Sequence, residues 1–277
     1  MKTFRQLTFL LTTFLTLGTL PALASEPLPW QLGLQPSASP SAFRIDQFHD
    51  MMLWIIFAIS IFVLLLLVWV VIRYNSKVNP EPANFTHNVL IEVIWTVVPV
   101  VILIIIAIPS FKILYYNDSV ENPEMTLKIT GRQWYWDYEY PDHDGIAFSS
   151  YMIADNEITE QQRRMLSTDN IVVLPIDTNI ALQITAGDVI HSWTIPAFGV
   201  KLDAIPGRLN ETWVRIEKPG TYYGQCSELC GKDHSYMPIE VRAVTKEEFK
   251  QWLITAKKEY ASLESSKKLI HLAGFQQ

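Results

Sequence analysis

Cys226-Ser227-Glu228-Leu229-Cys230-Gly231-Lys232-Asp233-His234-Ser235-Tyr236-Met237 holds the only two cysteines of the chain, with a histidine and a methionine close behind. Thiolate, imidazole and thioether together select a soft metal, copper or zinc, and the thioether favours copper because zinc rarely takes methionine. A second imidazole is needed, and His191 in Val189-Ile190-His191-Ser192-Trp193 is the best candidate. Several arrangements compete. A disulfide uses the cysteines alone. Structural zinc takes Cys226, Cys230, His234 and His191 and leaves Met237 as packing. A mononuclear blue-copper site has one cysteine too many. Two coppers sharing both thiolates use the whole set, with one histidine each and with Met237 and a backbone carbonyl as weak outer ligands.

Upstream of this loop, from about residue 116 to 244, the chain runs in short alternating stretches such as Thr126-Leu127-Lys128-Ile129-Thr130, Ile180-Ala181-Leu182-Gln183-Ile184 and Ile239-Glu240-Val241-Arg242-Ala243. Turn residues punctuate them, including Pro206-Gly207 and Pro219-Gly220. That pattern predicts an antiparallel sandwich or barrel, a scaffold that can hold metal ligands on loops between rigid strands. Asp144 to Asn170 is more polar and less periodic, and reads as a surface excursion. Gly131-Arg132-Gln133-Trp134-Tyr135-Trp136-Asp137-Tyr138-Glu139-Tyr140 alternates aromatic and polar groups and, taken alone, is a strand whose rings fill a core. After the last strand, Thr245-Lys246-Glu247-Glu248 is a capping box, and Phe249, Trp252, Leu253 and Ala256 share one face of a helix that ends near Leu263. The tail to residue 277 carries no usable signal.

The first 115 residues belong to a different solvent. With 277 residues, 49% of them hydrophobic, and a slightly positive mean hydropathy, +0.15, the chain is more apolar than a soluble globule of its size requires. Lys2 and Arg5, an apolar run from Leu7 to Leu20, and Pro21-Ala22-Leu23-Ala24 read as a signal peptide over 1–24. Residues 25–50 form an exported arm, irregular and rich in Pro and Ser at its start. A helical hairpin is expected over 51–115. Met51–Ile72 contains no charge and spans a hydrocarbon core of about 30 Å, and a second apolar helix runs from about 88 to 115. Arg73 and Lys77 between them mark the inner side, so both termini and the domain at 116–244 lie outside. Pro99 and Pro109 inside the second helix are tolerated best against a partner subunit. Glu92, near its inner end, is either a headgroup-level carboxylate or a functional one. The net charge of −6, with dispersed basic residues, argues against a nucleic-acid partner. The chain has no Cys-x-x-Cys-His motif, so no c-type haem is attached to it.

Cys-Ser-Glu-Leu-Cys-Gly-x-x-His-x-x-Met-Pro, with His-Ser-Trp upstream, resembles the dinuclear copper (CuA) site of cytochrome c oxidase subunit II. The resemblance covers both helices, the aromatic run and the copper loop, in the family's order. It implies a cupredoxin-like Greek-key barrel and the bacterial inner membrane, with the copper domain on the periplasmic side. Cys226 and Cys230 would bridge two coppers, His191 and His234 would bind one each, Met237 would be axial, and the Glu228 carbonyl would be the remaining ligand. Glu228 would also reach a magnesium or manganese ion shared with subunit I, with Asp203 nearby.

The implied activity is that of the electron-entry subunit of a haem-copper oxidase. Electrons pass from cytochrome c to the haems of subunit I, where oxygen is reduced to water with proton pumping, and subunit III is a further partner. In this resemblance Trp134 receives electrons above the copper, Glu92 stands at the mouth of a proton path, and Arg132 replaces a histidine common in the family. Asp137, Glu139, Asp142 and Asp144 belong to a stretch without Lys or Arg and would face a basic donor. Two alternatives remain: a quinol-oxidase subunit II, which lacks the copper ligands, and a membrane-anchored copper chaperone or structural zinc or disulfide domain.

Overall fold

The computed structural model describes residues 27–81, 83–118 and 122–274, so the expected signal peptide lies outside the described residues. The chain divides into two compact units, Ser41–Ser119 and the remainder on either side of it.

The first unit is built on two long helices, α1 (Pro40–Arg73) and α2 (Val89–Asp118). Both are apolar over their whole circumference, and their most apolar windows have no buried residue. A helix hydrophobic all round has no water-facing side, so these two are membrane-spanning. α1 starts at Pro40, well before the apolar span expected from Met51. Arg44, Asp46, His49 and Asp50 fill the extra turns, which hydropathy does not count because they lie outside hydrocarbon. The exported arm, expected to be irregular at its start, is therefore helical from Pro40 on. At the other end of α1 the Asn75 side-chain amide donates to the Val71 and Ile72 carbonyls, at 3.3 and 2.8 Å, and satisfies groups the helix leaves open. Asn88 caps α2, its Oδ1 accepting from the Leu90 and Ile91 amides at 3.1 and 3.2 Å. α2 continues through Pro99 and Pro109. The Arg44 guanidinium lies 3.8 Å over the Tyr116 ring, bringing the start of α1 beside the end of α2.

Among its described residues the second unit contains ten strands: β1 (Met125–Arg132), β2 (Tyr135–Tyr140), β3 (Ile146–Ser150), β4 (Val172–Pro175), β5 (Ile180–Ala186), β6 (His191–Ile195), β7 (Val200–Ala204), β8 (Asn210–Val214), β9 (Gly220–Gln225) and β10 (Pro238–Val244). They form a five-stranded sheet, β3-β2-β1-β5-β8, a three-stranded sheet, β4-β10-β9, and the β6-β7 pair. Inward residues of all three make one core, including Leu127 and Ile129 from β1, Leu182 and Ile184 from β5, Trp193 from β6 and Ile239 and Val241 from β10. The sheets are mixed where an antiparallel arrangement was expected: β1 runs parallel to β5, and β4 parallel to β10. Both parallel pairs join strands far apart in the chain, and local alternation carries no information about such partners.

The aromatic run is two strands. β1 stops at Arg132, Gln133-Trp134 form the turn, and β2 returns antiparallel with Arg132 opposite Tyr135. Trp136, Tyr138 and Tyr140 then point into the core, at most 1% exposed. The polar excursion likewise begins with a strand, β3, paired with β2, before the chain becomes irregular. Its far end is fixed by Glu240, a buried carboxylate on β10 that accepts from the Thr168 amide at 2.7 Å.

The final helix, α3 (Lys246–Gly274), starts at the expected capping box and runs past Leu263. The Glu248 amide donates to Thr245 Oγ1 at 3.2 Å, and Glu248 Oε2 accepts from the Thr245 amide at 2.9 Å. Phe249, Ala256 and Tyr260 are buried against the barrel, and Tyr260 stacks on Phe148 with ring centroids 4.6 Å apart. The arm before α1 also belongs to this unit. The Ala38 amide donates to the Ala197 carbonyl, and the Ala38 carbonyl accepts from the Glu217 amide, each at 2.9 Å, with the Ala38 side chain buried.

Candidate metal centre

β9 and β10 are an antiparallel pair whose connection is the cysteine loop, with Gln225 opposite Pro238. The Cys226 amide donates to the Met237 carbonyl at 3.4 Å and closes the loop at its base. β6 brings His191 alongside. The Ser227 amide donates to the Ser192 carbonyl at 3.0 Å, and Gly224 lets β9 approach so closely that any side chain there would collide with the Thr194 carbonyl. Gly131 does the same for His191, whose ring would stand only 2.8 Å from a β-carbon there.

Five donors converge. The two thiol sulfurs are 3.8 Å apart and not joined. Cys226 Sγ is 3.9 Å from His191 Nδ1 and 3.4 Å from the Glu228 carbonyl oxygen. Cys230 Sγ is 3.5 Å from His234 Nδ1 and 3.6 Å from Met237 Sδ. Ligands on a shared tetrahedral ion, with bonds of about 2.0–2.3 Å, stand about 3.3–3.8 Å apart. The observed spacings of 3.4–3.9 Å lie within that range or 0.1 Å beyond it, so the donor set fits soft metal ions held between the thiolates. Among the described residues His191, Cys226 and Cys230 are the one group of three or more such ligands whose donor atoms all lie within 4.8 Å. His234 and Met237 each meet Cys230. His191 is fully buried, and Met237 nearly so, which excludes water from the inner side.

Electrostatics separate the two thiols. Burial pushes Cys226 up, but the His191 ring, the Glu228 and Ser192 backbone and His234 favour its thiolate more, and it is lowered to about 7. Burial and the neighbouring Cys226 thiolate push Cys230 up to about 12. A cation between them relieves that repulsion, which is how a metal couples to thiol deprotonation. Burial lowers His191, yet its bonds to Cys226 and Asp188 outweigh burial and raise it.

Trp134 is half-buried at the β1–β2 turn and donates from its indole nitrogen to the Cys230 carbonyl at 3.3 Å. Gln133 Nε2 donates to the same oxygen at 3.0 Å. Gly231, at φ +124°, leaves the space in which Trp134 packs, since a β-carbon would stand 3.1 Å from its ring. Arg132 is salt-bridged to Asp137 at 2.6 Å.

The four acids proposed for docking are all engaged. Asp137 also accepts from Ser149 at 2.6 Å, Glu139 pairs with Lys128 at 3.0 Å, Asp142 accepts from the Thr126 amide at 2.6 Å, and Asp144 pairs with Lys257 at 2.6 Å. Glu228 turns its carbonyl to the thiol while the residue as a whole is exposed. Asp203 lies on β7 opposite Ser192, and its backbone carbonyl accepts from Asn210 at 2.7 Å. Glu92 sits in the first turn of α2 and its carbonyl accepts from Thr96 Oγ1 at 2.9 Å. Asp188, which sequence reasoning missed, accepts from His191 Nε2 at 2.9 Å. Its only sequence signal is a carboxylate three positions before a histidine.

A membrane-anchored β-domain in which the start of β6 and the cysteine loop gather two thiols, two imidazoles and a thioether is a metal-binding module. The family model for the periplasmic domain of cytochrome c oxidase subunit II matches residues 125–244, and that for its transmembrane domain matches residues 27–113. A probable cytochrome c oxidase subunit 2 of Rickettsia bellii is 52% identical over 244 residues, 88% of this chain and 91% of that protein. Cytochrome c oxidase subunit 2 of Cereibacter sphaeroides is 46% identical over 250 residues, 84% and 82% of the two chains. The crystal structure of the periplasmic domain of subunit II of cytochrome oxidase (CoxB) of Bradyrhizobium japonicum is 52% identical, covers 51% of this chain and 99% of its own, and has a TM-score of 0.48. The chain belongs to the cytochrome c oxidase subunit II family.

Proposed function

We propose that this chain is the electron-entry subunit of a bacterial haem-copper oxidase. It takes electrons from a cytochrome c at a dinuclear copper centre and delivers them to the haems of subunit I, where oxygen reduction is coupled to proton translocation. The observation that carries the proposal is the convergence of Cys226, Cys230, His191, His234 and Met237 at ligand spacing. A quinol-oxidase subunit lacks such donors, and a simple disulfide or zinc domain has no use for Trp134 hydrogen-bonded to the cysteine loop.

When bound, the copper pair supplies one-electron redox chemistry. Cys226 and Cys230 would bridge it, His191 and His234 would hold one ion each, and Met237 and the Glu228 carbonyl would be weak outer ligands. The chain's own contribution is to hold these donors rigidly between strands, so that little reorganisation accompanies a change of charge. Trp134 provides the aromatic contact for an approaching donor. Asp137, Glu139, Asp142 and Asp144 steer a basic partner, with a field reduced by Lys128, Arg132 and Lys257 beside them. The Glu228 side chain, with Asp203 near, is assigned to magnesium or manganese at the subunit I contact, and Glu92 to proton uptake. Subunit III completes the proposed assembly in the bacterial inner membrane, with the β-domain periplasmic.

The test is the copper-to-protein ratio and the visible spectrum of the purified full-length chain. Two coppers per chain with a mixed-valence thiolate spectrum are expected. One zinc, or a metal-free disulfide, would overturn the reading.

A further inference from the structure

Asp188 sits in the turn between β5 and β6 and uses both carboxylate oxygens. Oδ1 accepts from the fully buried His191 ring at Nε2, 2.9 Å away, and from the Val189 amide at 2.6 Å. Oδ2 accepts from the Gln133 amide at 2.7 Å, across 55 residues of chain. Gln133 and Trp134 in turn both donate to the Cys230 carbonyl. One side chain therefore touches the histidine that reaches Cys226 and the turn that covers Cys230.

We propose that Asp188 is the positioning residue of the centre, holding His191 in the tautomer that aims Nδ1 at the metal while fixing the Gln133-Trp134 turn over the cysteine loop. An imidazole has two nitrogens, and a carboxylate accepting from one of them keeps the proton there and leaves the other free as a ligand. Here the accepted nitrogen is Nε2, and Nδ1 is the atom that faces the Cys226 sulfur. The second link is geometric. With Gln133 tied to Asp188 and Trp134 tied to Cys230, the turn cannot lift from the loop without breaking a charge-assisted hydrogen bond. Metal affinity and electron entry thus depend on the same carboxylate.

The inference rests on the copper reading, and the experiment separates the two. Full-length wild type, Asp188→Ala and Asp188→Asn are purified metal-free and titrated with copper against a competing chelator, with electron paramagnetic resonance recorded at saturation and circular dichroism as the control for folding. Asp188→Ala is expected to lower copper affinity on the order of 10- to 100-fold, the range for loss of a partner behind a ligand, and to change the nitrogen hyperfine pattern from His191. Asp188→Asn keeps one oxygen, which serves either His191 and Val189 or Gln133 but not all three donors, and should fall in between, so the question is still decided if the alanine variant misfolds. At saturating copper, electron entry from a reduced donor should also slow in Asp188→Ala at high salt, where long-range steering by the lost charge is screened. Wild-type affinity and spectrum in both variants would overturn the positioning role while leaving the copper centre intact. A wild-type chain that takes up no copper would overturn the centre and, with it, the role of Asp188.

Discussion

Burial raises both Cys226 and Cys230, yet the two thiols end far apart, because hydrogen bonds lower Cys226 while the neighbouring thiolate raises Cys230 further. The Cys226 sulfur lies 3.9 Å from His191 Nδ1, and the Cys230 sulfur 3.5 Å from His234 Nδ1. Replacing either cysteine by serine is therefore expected to abolish the two-copper centre altogether, read as loss of the visible spectrum with at most one copper retained. An unchanged spectrum in either variant would exclude bridging. Met237→Leu should be milder and shift the reduction potential while keeping both ions, since a thioether is a weak ligand. Glu240 poses a different residue-scale question. Burial raises its carboxyl above the usual range, only partly offset by bonds from the Thr168 amide, Ser167 and Tyr223 and by the nearby Arg242 charge. The folded state then holds that proton more tightly than the unfolded chain does. Its contribution to stability is thus greatest in acid and declines as pH rises from the ordinary carboxylate range through the raised folded value. Glu240→Gln keeps an oxygen for the Thr168 amide and should flatten that decline. Denaturation midpoints of both proteins between about pH 4 and 7 provide the check, and a variant with the wild-type slope would assign the decline to other groups.

Among the elements, the β1–β2 hairpin shows where sequence reading succeeds and where it stops. Alternation in Trp136, Tyr138 and Tyr140 was legible because a strand face repeats every second residue. The turn was not, because Gln133-Trp134 carries none of the Gly, Asn, Asp or Pro that announce a two-residue connection. What holds it is tertiary: Asp188 on the Gln133 amide and the Cys230 carbonyl on Trp134. The same limit hid the parallel β1–β5 and β4–β10 pairings. The capping box of α3, by contrast, was readable residue by residue because its partners are three positions apart. The five side chains that converge at the cysteine loop were legible as a set through their residue types and spacing, whereas Asp188, which accepts from His191, was not. Since Trp134 touches the cysteine loop directly, Trp134→Gln should slow electron transfer within the docked donor complex at every salt concentration. Neutralising Asp137, Asp142 and Asp144 should act on association and its salt dependence alone. Stopped-flow reduction across ionic strength distinguishes the two. A Trp134 effect confined to association would remove it from the entry path.

At the level of the whole molecule, Glu92 lies in the apolar unit, in a stretch of sequence remote from the cysteine loop. Glu92→Gln is expected to reduce oxygen turnover in the assembled oxidase several-fold, with the copper spectrum and donor affinity unaltered. Turnover equal to wild type would make it a solvated helix-end carboxylate, which its place in the first turn of α2 also suits. The arm carries a separate consequence. Ala38 is hydrogen-bonded within the β-domain at Ala197 and Glu217, yet the whole of α1 and α2 separates it from β1 in the chain. Two stretches that share one folded unit must end on the same face of the bilayer, so the number of crossings between them has to be even. Loop charge only biases orientation, but this contact imposes parity. An insertion error that left one of α1 and α2 out of the membrane would strand the arm across the bilayer from its seat, leaving the Ala197 carbonyl and the Glu217 amide without their Ala38 partners, so a chain with an odd number of crossings could not finish the domain.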